Sequence, residues 1–298
     1  MISESGRRIR AVTFGLLIAS APAFGQQDAR VGNTIEWWHA AAALGSSLTL
    51  IVVDEPVRDQ VQAIRTGRTD AVATAFRQLG EFTNILPMAL GAWAGGAIAD
   101  DKALERAGAR LTASFGLSVG LFMTLKIAFG RERPDGSGDA TNFRPFSIVN
   151  RSFPSGHTAI AFSLATTLAD DLDEPWFAAF MYAAAAGTGW SRMNDDRHWL
   201  SDVAFGAVVG IASSKLVSGR WLIGGIEAPS YLTEPRADRV GVPSLILASG
   251  LRLATYQVLR RIPKLFSSHT PHLMMVPSGA IGFGWSLPLV AKRAVGPR

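Results

Sequence analysis

Six apolar segments separated by charged links constrain this chain more than any other feature of its sequence. They run approximately over Ile35–Val53, Ile85–Ala99, Leu111–Phe129, His157–Ala169, Trp176–Trp190 and Val203–Val217. Ala, Leu, Gly and Phe dominate them and Pro is rare inside them, which predicts helix rather than strand. Most are at or under the roughly 17–20 residues needed to span a bilayer. If a leading segment and all six crossed, the polar links after the first, third and fifth would face the cytoplasm. Either one segment therefore does not span, or the helices bury their apolar faces against one another.

The N-terminus has the layout of a secretory signal. Arg7, Arg8 and Arg10 precede a short apolar run, AVTFGLLIAS, and Ala23 and Gly25 stand at the −3 and −1 positions of a cleavage site. This predicts a signal peptide over 1–25, a helical domain over 26–220 and a C-terminal extension over 221–298, with the mature protein in the cell envelope, periplasmic or membrane-associated. Within the extension, residues 251–266 (LRLATYQVLRRIPKLF) read as a basic amphipathic helix, either a solvated face or a membrane-surface element. The stretch HLMMVPSGAIGFGWSLPLV predicts a small β-hairpin.

The net charge of +5 suits an anionic partner. No block of Lys and Arg interleaved with aromatics points to nucleic acid. The absence of cysteine excludes disulfides, thiolate metal sites and a cysteine nucleophile.

Three polar clusters stand at the ends of apolar segments. In KIAFGRERP, Lys126 and Arg133 lie seven apart, on one face if the helix continues to a stop at Pro134. In PSGH, Ser155 is a good N-cap, Gly156 admits close backbone approach, and His157 follows at a helix start that favours an anion. In SRMNDDRHWLSD, Arg192 precedes His198, and Asp202 sits four residues beyond it, so a carboxylate can hold one imidazole nitrogen protonated. Asp195, Asp196 and Arg197 in the same stretch read only as residues that solvate a loop. Taken singly, the clusters are a basic helix edge, a capped turn and a surface pair; together, in this order, they are not an accident of composition. His39, inside an apolar segment, reads as a satisfied core residue. The pair His269 and His272 lacks a third metal ligand nearby.

K-x6-RP, PSGH and SR-x5-H-x3-D together resemble the signature motifs of the type 2 phosphatidic acid phosphatases, whose superfamily includes bacterial class A acid phosphatases and vanadium haloperoxidases. The resemblance covers about Leu111 to Val217. It implies an all-α fold, a six-helix bundle of that type, and a metal-independent phosphatase with no cofactor. It also implies roles. Lys126, Arg133 and Arg192 would clamp phosphate oxygens, with Ser155 and the N–H of Gly156 adding hydrogen bonds. His198 would attack phosphorus to form a phosphohistidine, Asp202 would orient it, and His157 would protonate the leaving oxygen. The expected partner is a phosphorylated lipid, favoured over a small phosphate ester, with a membrane surface close by; the sequence gives no oligomeric state. A soluble periplasmic acid phosphatase, a vanadium-dependent haloperoxidase and a non-catalytic anion binder stay open as alternatives.

Overall fold

The computed structural model of the chain describes residues 33–147, 149, 151–223, 229–233, 272–275 and 281–284. The signal-like residues 1–25, the segment 251–266 and His269 lie outside the described residues. The expected helical bundle is present. Its helices are α1 (Trp37–Thr49), α2 (Ile51–Ala63), α3 (Gly67–Arg77), α4 (Phe82–Ala99), α5 (Lys102–Phe129), α6 (Gly156–Leu172), α7 (Pro175–Asn194), α8 (Leu200–Val217) and the single turn α9 (Ser230–Thr233).

Local chemistry sets the ends of these helices. Asp101 caps α5 by accepting from the N–H groups of Ala103 and Leu104. Ser155 caps α6, as expected, by accepting from Thr158 N. Pro occupies the first turn of α7, where its missing N–H costs nothing. Gly130, with φ of 55°, ends α5 in the left-handed conformation. The helix therefore stops at Phe129 rather than at Pro134, and Lys126 and Arg133 do not share a helical face. Arg133 instead sits in a loop held by a bridge between Arg131 and Phe143.

Two further expectations change. The apolar segment Ile35–Val53 is not one helix: α1 and α2 are bent by 50° at Leu50. The charged link Asp54–Glu81 folds as α2, α3 and a 3-10 turn at Gln78–Gly80. His39 is not a core residue. It is exposed, and its Nδ1 accepts from Glu36 N at 3.0 Å in the first turn of α1.

Helix α6 is the centre of the bundle, packed on α5, α7 and α8 and enclosed along most of its length. The core around it joins Phe115, Phe122, Leu164 and Val209 to a stack of Phe153 on Phe205, with centroids 5.2 Å apart. Among the described residues, three helices are long and apolar enough to cross a membrane: Phe82–Ala99, Lys102–Phe129 and Leu200–Val217. The bent pair α1–α2 makes a fourth if it is one span. Large apolar side chains, among them Trp93, Ile98, Met123 and Phe180, are exposed on the outside of the bundle.

Outside the bundle, β1 (Asn33–Ile35) pairs in parallel with β2 (Trp221–Ile223). Tyr231 and Leu232 of α9 bond to Glu105 and Arg110 of α5. The expected C-terminal hairpin forms between β3 (His272–Met275) and β4 (Ile281–Gly284), antiparallel with His272 opposite Gly284.

Helices α6 and α8 approach too closely for a side chain at Gly210. A Cβ there would lie 2.3 Å from the carbonyl oxygen of Ala159 and 2.8 Å from Ser163 N. Both are backbone atoms of a packed helix, which cannot turn aside. Gly210→Ala is expected to cost about 1–3 kcal/mol, read as a lower thermal midpoint in detergent; an unchanged midpoint would show the two helices to be further apart.

Candidate active site

The three motif clusters converge. Loop 130–134 after α5, the turn before α6, and the link between α7 and α8 meet at one end of the bundle. There they line a cavity of about 510 Å³ whose wall includes Arg133, His157 and Arg192. Five more cavity residues come from outside the motifs' assigned positions: Arg65, Arg77, Glu81, Asp195 and Arg197.

Behind the wall sits His198, 5% exposed, just before α8. Asp202 is the third residue of α8, and its carboxylate reaches back to accept from Trp199 N at 2.9 Å. That bond fixes the carboxylate as a cap of its own helix. The same oxygen faces His198 Nδ1 at 3.4 Å and accepts from the hydroxyl of Ser152, which is also 3.4 Å from Nδ1. Nδ1 is thus turned toward the carboxylate, which leaves Nε2 as the nitrogen available for chemistry. Burial, with Lys126 and Arg192 close by, pushes the His198 imidazole down to about 3 against the pull of Asp202. His198 is therefore neutral, the form with a lone pair on Nε2, through the whole neutral range.

His157 lies in the first turn of α6, half-buried, with Nε2 3.2 Å from the Glu81 carboxylate. Burial first, then the charges of Arg192 and Lys126, hold its imidazole below the ordinary value of 6.5; Glu81 pulls the other way. Arg192, in the last turn of α7, is buried by all but its tip. One terminal nitrogen donates to Asp195 at 2.6 Å, whereas its Nε–H has no hydrogen-bond partner among the described residues. Arg133 makes no ion pair with a described residue. These two guanidiniums can offer an anion several donors in forked geometry.

The other predicted residues are close by in different ways. Lys126 is behind the wall, donating to the carbonyls of Arg151 at 2.8 Å and Ser152 at 3.1 Å. It therefore holds the turn that presents Ser155. Ser155 is fully buried, and its oxygen accepts from Thr158 Oγ1 at 2.9 Å as well as from Thr158 N. Gly156 is the first residue of α6, at its N–H-rich end.

Asp195, Asp196 and Arg197 do more than solvate a loop. Asp195 pairs with Arg192 and, at 3.2 Å, with Arg77 of α3. Asp196 takes both ends of the Arg58 guanidinium of α2 at 2.7 Å each. Arg197 pairs with Asp135 at 2.8 Å. Gln62 adds bonds to the carbonyls of Met193 and Asn194. The motif loop is thus pinned by α2 and α3. Sequence reasoning missed Asp54, Arg58, Gln62, Arg77, Glu81, Arg131 and Ser152. One signal was present: Asp54, Arg58 and Gln62 repeat every four residues, a polar stripe on one helical face.

Two imidazoles, one buried against a carboxylate and one half-buried on the cavity wall, thus stand beside arginines at one end of a helical bundle. Residues 107–221 match the family model of the PAP2 superfamily. Its relatives include a lipid A 1-phosphatase of Porphyromonas gingivalis, 43% identical over 108 residues. That match covers 36% of this chain and 21% of the relative, so the chain spans about a fifth of the relative's length. Among solved structures, it is similar to Aquifex aeolicus LpxE (TM-score 0.44, 24% identity, covering 54% of this chain and 92% of that one). It is also similar to a transmembrane PAP2-type phosphatidylglycerolphosphate phosphatase of Bacillus subtilis (TM-score 0.49, 22% identity, 60% and 94% covered).

The buried neutral imidazole has a consequence for stability. Between pH 6.5 and about 3 the unfolded chain takes up a proton at position 198 and the folded chain does not. Stability therefore falls as pH drops through that window, by about 1.4 kcal/mol per unit well inside it. Denaturant titrations at pH 7 and pH 5 are expected to show a smaller loss in His198→Gln than in wild type; equal losses would mean that His198 titrates normally.

Proposed function

We propose that this protein is a metal-independent phosphatase that hydrolyses a phosphate monoester or diphosphate of a lipid through a phosphohistidine. The observation that carries this reading is the pairing of His198 Nδ1 with the buried Asp202 carboxylate, behind a cavity walled by Arg133, Arg192 and His157. Residues 26–220 would form the catalytic unit, following an exported signal at 1–25, with 221–298 as an extension.

The chemistry follows from the geometry. Arg133 and Arg192, with Lys126 behind them, would hold the phosphoryl oxygens and offset the charge that builds on them. The lone pair of His198 Nε2 forms the N–P bond as the P–O bond to the leaving group breaks. The leaving oxygen takes the proton of His157. The phosphorylated imidazole, cationic because Nδ1 keeps its proton, rests against Asp202. Water then attacks phosphorus, giving its proton to His157 and returning the bonding pair to Nε2. A lipid substrate is favoured because the cavity opens on a bundle with three helices long and apolar enough to cross a membrane. The relative with 43% identity bears the name of a phosphatase of a lipid.

A panel of detergent-dispersed lipid phosphates and diphosphates, with p-nitrophenyl phosphate as the small ester, tests the reading. The lipid arm is expected to be faster, and His198→Ala to lower turnover by about three orders of magnitude or more. Undiminished turnover in that variant would reject the nucleophile. The pH profile supplies a second test. The acid His157 must be protonated in the free enzyme, so kcat/KM should be lost as pH rises through a value below 6.5. Glu81→Gln removes a carboxylate that raises this imidazole, so the basic limb should move lower still; a limb that stays in place would release His157 from that role.

A further inference from the structure

Behind Asp202 lies a second buried carboxylate that none of the motif roles uses. Asp54 of α2 is 1% exposed, and Arg131, between the two carboxylates, is fully buried. Arg131 Nη1 donates to Asp202 Oδ1 at 2.6 Å, and its Nη2 donates to Asp54 Oδ2 at 2.7 Å. Asp54 also accepts from the N–H of Ser201 at 2.9 Å and from its hydroxyl at 2.5 Å. Ser201 Oγ in turn lies 2.7 Å from Arg131 Nη1. Arg131 is fixed from outside by the Ala140 carbonyl, to which Nε and Nη2 donate, and its guanidinium lies 5.2 Å from the Phe143 ring and 5.5 Å from that of Trp199. The chain Asp54–Arg131–Asp202–His198 is buried at every member.

Charge explains why three groups stand where one would seem enough. A buried charge is costly unless a counter-charge meets it. Arg131 alone would neutralise Asp202, and the imidazole would gain little by becoming cationic. Asp54 neutralises Arg131 instead. The trio then carries one net negative charge, located next to His198, which is neutral before transfer and cationic after Nε2 takes the phosphoryl group. Arg131 meanwhile holds Asp202 by Oδ1 and leaves Oδ2 for Nδ1.

We infer that Asp54 and Arg131 are positioning residues for His198, acting through Asp202: Arg131 aims the carboxylate, and Asp54 keeps its charge available to the imidazolium formed on phosphoryl transfer. The inference rests on the phosphohistidine reading. It extends the machinery to α2, outside the segment 107–221 that matches the superfamily.

The test uses the full chain in detergent with its best lipid phosphate, and inorganic phosphate as a competitive inhibitor. Asp54→Asn should lower kcat/KM by about 100-fold and leave the Ki for phosphate within about threefold, because the arginine cavity is untouched. Asp54→Asn with Arg131→Gln removes both outer charges and restores a net charge of minus one on Asp202. It should recover at least about tenfold of the loss, with Ki again unchanged. A merely structural role predicts the reverse: Ki rising alongside the loss, and a double variant no better than the single. Either of those results, or a kcat/KM for Asp54→Asn within threefold of wild type, overturns the inference. If Asp54→Asn does not fold, the double variant decides, since it leaves no unpaired buried cation. It should keep kcat/KM within about tenfold of wild type, and a loss beyond about 100-fold rejects the idea. A wild-type chain that hydrolyses no phosphate ester overturns the phosphatase reading and this inference together, whereas an active wild type with an equally active Asp54→Asn overturns this inference alone.

Discussion

The structure depends on one buried carboxylate. Asp202 receives donors from four places in the chain: Arg131 in the loop after α5, Ser152 before α6, its own helix start at Trp199 N, and His198. None of the three helix ends could be placed independently without leaving this charge unpaired, a cost of several kcal/mol. The backbone takes part as well, since Ser155 N donates to the Asp202 carbonyl at 2.9 Å and so ties the start of α6 to that of α8.

Around this point the molecule divides its labour. The apolar core, centred on α6, supplies rigidity and brings α5, α6, α7 and α8 to one end. The polar helices α2 and α3 cover that end and grip the link between α7 and α8 through Arg58, Gln62 and Arg77. The grip places the two histidines in different electrostatic settings. His198 is buried among cations with one carboxylate behind it, which keeps it neutral. His157 is half-open beside Glu81, where a proton can come and go. The proposed acid and nucleophile would thus differ in how far they are shut off from solvent.

Much of this was legible in the sequence. The bundle followed from apolar runs of helical composition, and the candidate site residues followed from three motifs that resemble those of a known family. Lys126, Arg133, His157, Arg192, His198 and Asp202 do gather at one end. The covering layer was not legible, because a polar stripe on α2 looks the same whether it faces water or a catalytic loop. Asp54, Arg58 and Gln62 revealed their direction only through partners about 75 to 145 residues away. Asp195, Asp196 and Arg197 were misread for the same reason: Arg77, Arg58 and Asp135, which pair with them, lie on elements remote in sequence. The end of α5 was misplaced because Gly130 can adopt a left-handed conformation and stop the helix four residues before the proline does.

The most direct test of the account is the chemical identity of the intermediate. Acid-labile phosphoprotein, trapped by rapid quench and examined by phosphorus and nitrogen NMR, should carry its phosphoryl group on Nε2 of His198, the nitrogen turned away from Asp202. A phosphoryl group on Nδ1 or on another residue, or no covalent phosphoprotein during turnover of an active enzyme, would contradict it.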